Sequence, residues 1–246
     1  MKVAASLLAI GASALLASQT AAADGSATDW VYGDGELPEK WSNTNESYAT
    51  CDGGAMQSPI DLSDFNGRGD LQIGASYGEG SGTLVTGPAK VQVDFEPGMG
   101  MISGKRLYSL VQVHFHTPAE HILHGERYPL VAHLVHGTRD GQFAVLGVMF
   151  EQGEENEALG AIVDTLASGE SELSLDVSDM VPGNLDIWRY MDSLTTPPCT
   201  EGVNWHVADE VLTASASQIA AMRERLGNSA RSLQPRNHRL VVAPSQ

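Results

Sequence analysis

The chain has 246 residues, with 14 Lys and Arg against 31 Asp and Glu, a formal net charge of −17. That acidic excess argues against nucleic acid and anionic membrane surfaces as partners. The length, with 42% hydrophobic residues, suits one domain with a substantial core.

Met1-Lys2, the apolar run Val3 to Ala17 and the small residues Thr20-Ala21-Ala22-Ala23 read as a secretory leader, expected to be cut after Ala23. The apolar run is too short to span a membrane. Removal leaves residues 24–246 as a single domain, periplasmic in a double-membraned cell and secreted otherwise. Loss of Lys2 takes the charge from −17 to −18, which keeps an exported protein soluble and suits a saline medium. The sequence shows no internal repeat, linker or low-complexity segment.

Short strands punctuated by Gly, Asn, Asp and Pro fill most of the rest: Gly82 to Val85, Val91 to Phe95, Gln142 to Phe150, Leu185 to Tyr190 and Gly202 to Val207. Helical spacing appears twice. Asn156 to Leu166 places Leu159, Ile162, Val163 and Leu166 on one face. Ser217 to Leu226 does the same with Ile219, Met222 and Leu226, and Gly227 is a stop.

The densest chemistry lies in Leu110 to His136, which holds six of the eight histidines. Its first half alternates as a strand, so Gln112, His114 and His116 project from one face and Val111, Val113 and Phe115 from the other. Turn signals at Thr117-Pro118 and Gly125 precede a second strand, Tyr128 to His136, which can pair antiparallel with the first and bring His133 to the same face. Three neutral nitrogens then converge with a fourth tetrahedral position open, the ligand count of a catalytic zinc site. His136 has the opposite parity, and His121 and His124 lie in the connection; these three are read as structural or surface residues. No thiolate joins the cluster, which argues against an iron–sulfur centre or a four-cysteine zinc.

Four separated segments, QSPIDL (57–62), HFHTPAEH (114–121), AHLVH (132–136) and SLTTPPCTEGVNW (193–205), together resemble the α-class carbonic anhydrases of the bacterial, secreted kind. Weaker matches run from Trp30 and Tyr32 to Gln234-Pro235, so the resemblance covers nearly all of the mature chain. It implies a mainly β (α+β) domain built around a large, mostly antiparallel, twisted central sheet with a few short surface helices. It further implies Zn2+ as cofactor and reversible hydration of CO2 to bicarbonate and a proton by a zinc-bound hydroxide. A homodimer is compatible with the resemblance.

The same resemblance assigns roles. Thr195 would donate to Glu120 and orient the hydroxide, Gln112 would support His114, and Val135, Val145, Leu194, Val203 and Trp205 would line an apolar pocket. Cys51 and Cys199, the two cysteines of an exported chain, are expected to pair, as they do in such family members. Cis bonds are expected in Gln57-Ser58-Pro59 and at Pro197-Pro198. There are departures too. Val131 stands where a Glu normally supports the third histidine, Ala119 replaces a Ser, and Thr86-Gly87-Pro88-Ala89-Lys90 lacks the His that moves protons in fast members. Two other readings are an exported zinc-binding protein with weak or lost catalysis, and a cupin-like dioxygenase. The latter wants a carboxylate ligand and gives the SLTTPP segment no role.

Overall fold

A computed structural model describes residues 29–33 and 39–245; the expected leader lies outside the described residues. In chain order the elements are α1 (Ala49–Gly53), β1 (Gly67–Gly69), β2 (Ile73–Ser76), β3 (Glu79–Gly87), β4 (Lys90–Phe95), β5 (Gly100–Ser103) and β6 (Arg106–His116). There follow β7 (Leu130–Gly137), β8 (Phe143–Gln152), α2 (Glu157–Ser168), β9 (Glu172–Asp176), β10 (Ile187–Ser193), β11 (Glu201–Ala208), β12 (Leu212–Ala214), α3 (Ala216–Leu226) and β13 (Val242–Pro244). Short 3-10 turns fill some of the gaps. No helix among the described residues is long and apolar enough to cross a membrane.

All the strands join one sheet, whose long path runs β1-β13-β10-β11-β8-β7-β6-β4-β3-β9. Antiparallel pairs predominate, as expected, but β8 runs parallel to both β11 and β12, and β1 to β13. The sheet is therefore mixed, and β8 sits at its centre.

Alternation on the central strands sorts side chains onto two faces. Val113, Phe115, Leu134, Leu146 and Val148 join one apolar cluster, which Leu159 and Ile162 of α2 and Met222 and Leu226 of α3 cover. Full burial of Leu159 or Ile162 contributes about 1.5–3 kcal/mol each. Both helices begin on side-chain caps. Asn156 Oδ1 accepts from Leu159 N at 2.9 Å, and Ser215 forms a reciprocal capping box with Gln218. Gly227, at φ +62°, ends α3 as its sequence position suggested.

The opposite face carries Val131, Val135, Val145, Trp205 and Val207 in a second cluster. Here the expected parity failed at one residue. The β6–β7 register shifts between Leu110 and Gln112, and Val111 is 45% exposed instead of sharing the buried face of Val113 and Phe115. The return strand also starts later than expected, at Leu130, because Pro129 has no N–H to give the ladder. On β10, pairing with β11 carries the strand past Tyr190 to Ser193.

Candidate metal centre

His114 on β6 lies directly opposite His133 on β7, and His116 follows two residues later on the same face. The ring centroids of the three are 4.7 to 5.1 Å apart, and one ring nitrogen from each lies within 4.8 Å of the others. His114 Nδ1 pairs with Gln112 Oε1 at 2.9 Å, and His116 Nδ1 with the Ser229 carbonyl at 2.7 Å. As both partners are acceptors, each ring carries its proton on Nδ1 and turns a lone pair on Nε2 inward. His133 enters the other way round, with its Nδ1 3.3 Å from His114 Nε2. Burial first, then the neighbouring His116, holds His114 and His133 well below the ordinary imidazole range, so both are neutral.

The donor set fits a small, soft-to-borderline divalent cation. His116 Nε2 is buried with no hydrogen-bond partner among the described residues, which is costly for an imidazole unless something binds it. Glu120, fully buried just beyond β6, accepts from Arg231 N at 2.9 Å through Oε1. Its Oε2 has no hydrogen-bond partner among the described residues and lies 3.5 Å from His116 Nε2 and 3.8 Å from His133 Nδ1.

Thr195 is buried in the loop after β10. The expected Thr195 to Glu120 hydrogen bond is not formed; the carboxylate oxygen that would accept it is the unpartnered Oε2. Val135, Val145, Val203 and Trp205 are buried in the second apolar cluster, and half-buried Leu194 packs against it. Trp205 holds its place by donating Nε1–H to the Ser193 carbonyl at 2.8 Å, and its indole lies 5.0 Å from the His133 ring.

Cys51 and Cys199 form the disulfide, with an S–S distance of 2.11 Å, and join the N-terminal segment to the Thr195 loop. Ser58-Pro59 and Pro197-Pro198 are cis as expected, and so is Thr117-Pro118, which was not foreseen. Three residues without a sequence signal also serve the centre. Ser229 acts through its backbone. Arg231 fixes Glu120 and sends its guanidinium to Gln57 Oε1, the Ser58 carbonyl and the Cys51 carbonyl. Tyr190 pairs with His121 at 2.5 Å.

A cluster of three imidazole nitrogens able to hold a metal ion, set on the middle strands of a mixed sheet and with no thiolate in it, has the ligand count of a catalytic metal site more readily than that of a structural zinc. The profile of the eukaryotic-type carbonic anhydrases matches residues 36–245. A carbonic anhydrase of Klebsiella pneumoniae is 34% identical over 243 residues, covering 95% of this chain and 98% of its own. Dioscorin dioA3 of Dioscorea japonica is 35% identical over 229 residues, covering 86% and 84%. A hyperthermostable carbonic anhydrase identified from an active hydrothermal vent chimney superposes with a TM-score of 0.81 at 33% identity, covering 88% of this chain and 100% of that one. The chain belongs to the eukaryotic-type, or α, carbonic anhydrase family, and is an enzyme of that kind.

Proposed function

We propose that His114, His116 and His133 hold a zinc ion and that the protein hydrates CO2 reversibly to bicarbonate and a proton. The observation that carries this reading is ligand orientation. Gln112 and Ser229 occupy the Nδ1 atoms of His114 and His116, so each ring offers one lone pair inward. When bound there, zinc supplies a Lewis acid that ionises water near pH 7, a value established for carbonic anhydrases as a class.

The chain's own residues do the rest. In the reacting arrangement Thr195 would turn its hydroxyl proton to Glu120 Oε2, a buried oxygen with no hydrogen-bond partner among the described residues. The Thr195 oxygen can then only accept, so it takes a hydrogen bond from the attacking oxygen and aims that oxygen's lone pair at the carbon of CO2. Val135, Val145, Leu194, Val203 and Trp205 supply an apolar wall for a small uncharged substrate. That wall offers bicarbonate no ion pair, which favours release of the product.

An exported location, periplasmic or extracellular, accords with the Cys51–Cys199 bond, because such bonds persist in oxidising compartments. The deciding experiment is stopped-flow CO2 hydration by the mature protein, with zinc measured in the same sample. Activity should scale with zinc, and Thr195→Ala should lower kcat/KM about a hundredfold without loss of metal. Full zinc occupancy without hydration would replace this reading with that of an exported zinc-binding protein.

A further inference from the structure

His133 is the ligand whose support differs from that of the other two. With Nδ1 turned to the metal position, its proton must sit on Nε2, and that N–H is buried with no acceptor among the described residues. Val131, two residues earlier on the same face, cannot provide one. A second buried ring nitrogen, His121 Nδ1, is equally without a partner. The His121 and His133 rings are 6.3 Å apart, and both pack against Trp205, at 4.8 and 5.0 Å.

The other side of His121 is fixed. Its Nε2 pairs with Tyr190 Oη at 2.5 Å, and that hydroxyl lies 3.2 Å from Ser58 Oγ. Two arrangements of protons are available. If Tyr190 donates to His121, the His121 proton moves to Nδ1, and two buried N–H groups compete for no acceptor. If His121 donates from Nε2 and Tyr190 donates onward to Ser58, His121 Nδ1 becomes a lone pair, complementary to the His133 proton. The second arrangement sets one buried N–H against one buried lone pair, where the first leaves two buried N–H groups unanswered, and is favoured for that reason.

We infer that His121 is the positioning residue for His133: its Nδ1 accepts the His133 Nε2 proton across one bridging water, and Tyr190 holds His121 in the tautomer that permits it. The inference rests on the zinc reading above and concerns how this chain manages without a carboxylate at position 131. Water suits this place because the two nitrogens form no direct hydrogen bond, their rings standing 6.3 Å apart between centroids, and they offer it one donor and one acceptor.

The test uses the zinc-loaded protein with ring-15N histidine. Long-range 1H–15N correlation should show the His121 proton on Nε2 and a slowly exchanging His133 Nε2–H; a His121 proton on Nδ1 overturns the inference. Tyr190→Phe keeps the ring stacked on Trp205 but removes the acceptor, and zinc release to a chelator should quicken about tenfold. Adding Val131→Glu to that variant should restore slow release. Release and tautomer both unchanged in Tyr190→Phe would also overturn it, and if that variant does not fold the wild-type spectrum still decides. Absence of zinc from the purified wild type would instead defeat the zinc reading, and is seen before any variant is made.

Discussion

Val131 lies two residues before His133 on the same face of β7 and offers its buried Nε2–H no acceptor. Loss of such a partner costs about 10–100-fold in metal affinity in comparable centres. Val131→Glu should therefore tighten zinc binding by about tenfold or more, read by chelator competition. The metal-free variant should melt lower, since a carboxylate then sits at a fully buried position. An unchanged or weaker zinc dissociation constant would count against a supporting role for this position.

Proton removal is the second weak point. Gln92 pairs with His114, so Lys90, Gln92 and Asp94 of β4 share the centre's face, and no histidine occurs at 86–90. Burial pulls Lys90 down from its ordinary value, with Asp94 opposing. Turnover in dilute buffer should be several-fold slower than in concentrated imidazole, and Lys90→His should narrow that gap. Equal rates in the two buffers would refute the prediction.

Acid should unfold the protein through histidines remote from the centre. His136 pairs with Tyr77 and His206 with Ser103, each at 2.8 Å, and burial lowers them to about 4 and about 3. In the unfolded chain both titrate near 6.5. Below pH 6.5 the unfolded state binds more protons, so stability falls as pH drops, and His136 alone accounts for on the order of 3 kcal/mol by pH 4. Urea unfolding between pH 6.5 and 4 should show this slope, and His136→Gln should flatten it. An unaltered slope in the variant would assign acid sensitivity to carboxylates instead.

The Cys51–Cys199 bond closes a loop with a sequence separation of 148 residues. In the chain-entropy account its removal costs about 4–5 kcal/mol. Urea unfolding of the Cys51→Ala/Cys199→Ala double variant should show most of that loss. Because Cys199 ends the Thr195 loop, kcat/KM should fall as well; full activity in a destabilised variant would show that the loop holds itself.

The net charge of −17 predicts a fifth behaviour. Added salt screens self-repulsion, so both melting temperature and activity should rise with ionic strength. Flat curves would exclude saline adaptation.

Some of this was legible in the sequence and some was not, for physical reasons. His114 and His116 announce themselves through strand alternation, and the parity of His133 follows from the hairpin register. Both long helices are visible because apolar spacing and caps agree. Strands of three to five residues, such as β1, β5, β9 and β13, are too short to show alternation, and the parallel pairing of β8 with β11 depends on contacts remote in sequence. Ser229 orients His116 through its carbonyl and accepts from Thr117 N through its Oγ, contacts from far along the chain that no local pattern reveals. His121, read as structural or surface, is fully buried against Trp205, which only the folded sheet could show.

Ser229 and Arg231 reach the centre from far down the chain, one orienting His116 and the other anchoring Glu120. A nascent or truncated polypeptide that stops short of residue 229 already carries all three histidines, yet lacks the contacts that aim one of them and hold the acid. The geometry proposed for metal binding therefore depends on the last part of the chain, and a polypeptide lacking it would hold the same three histidines without that aim.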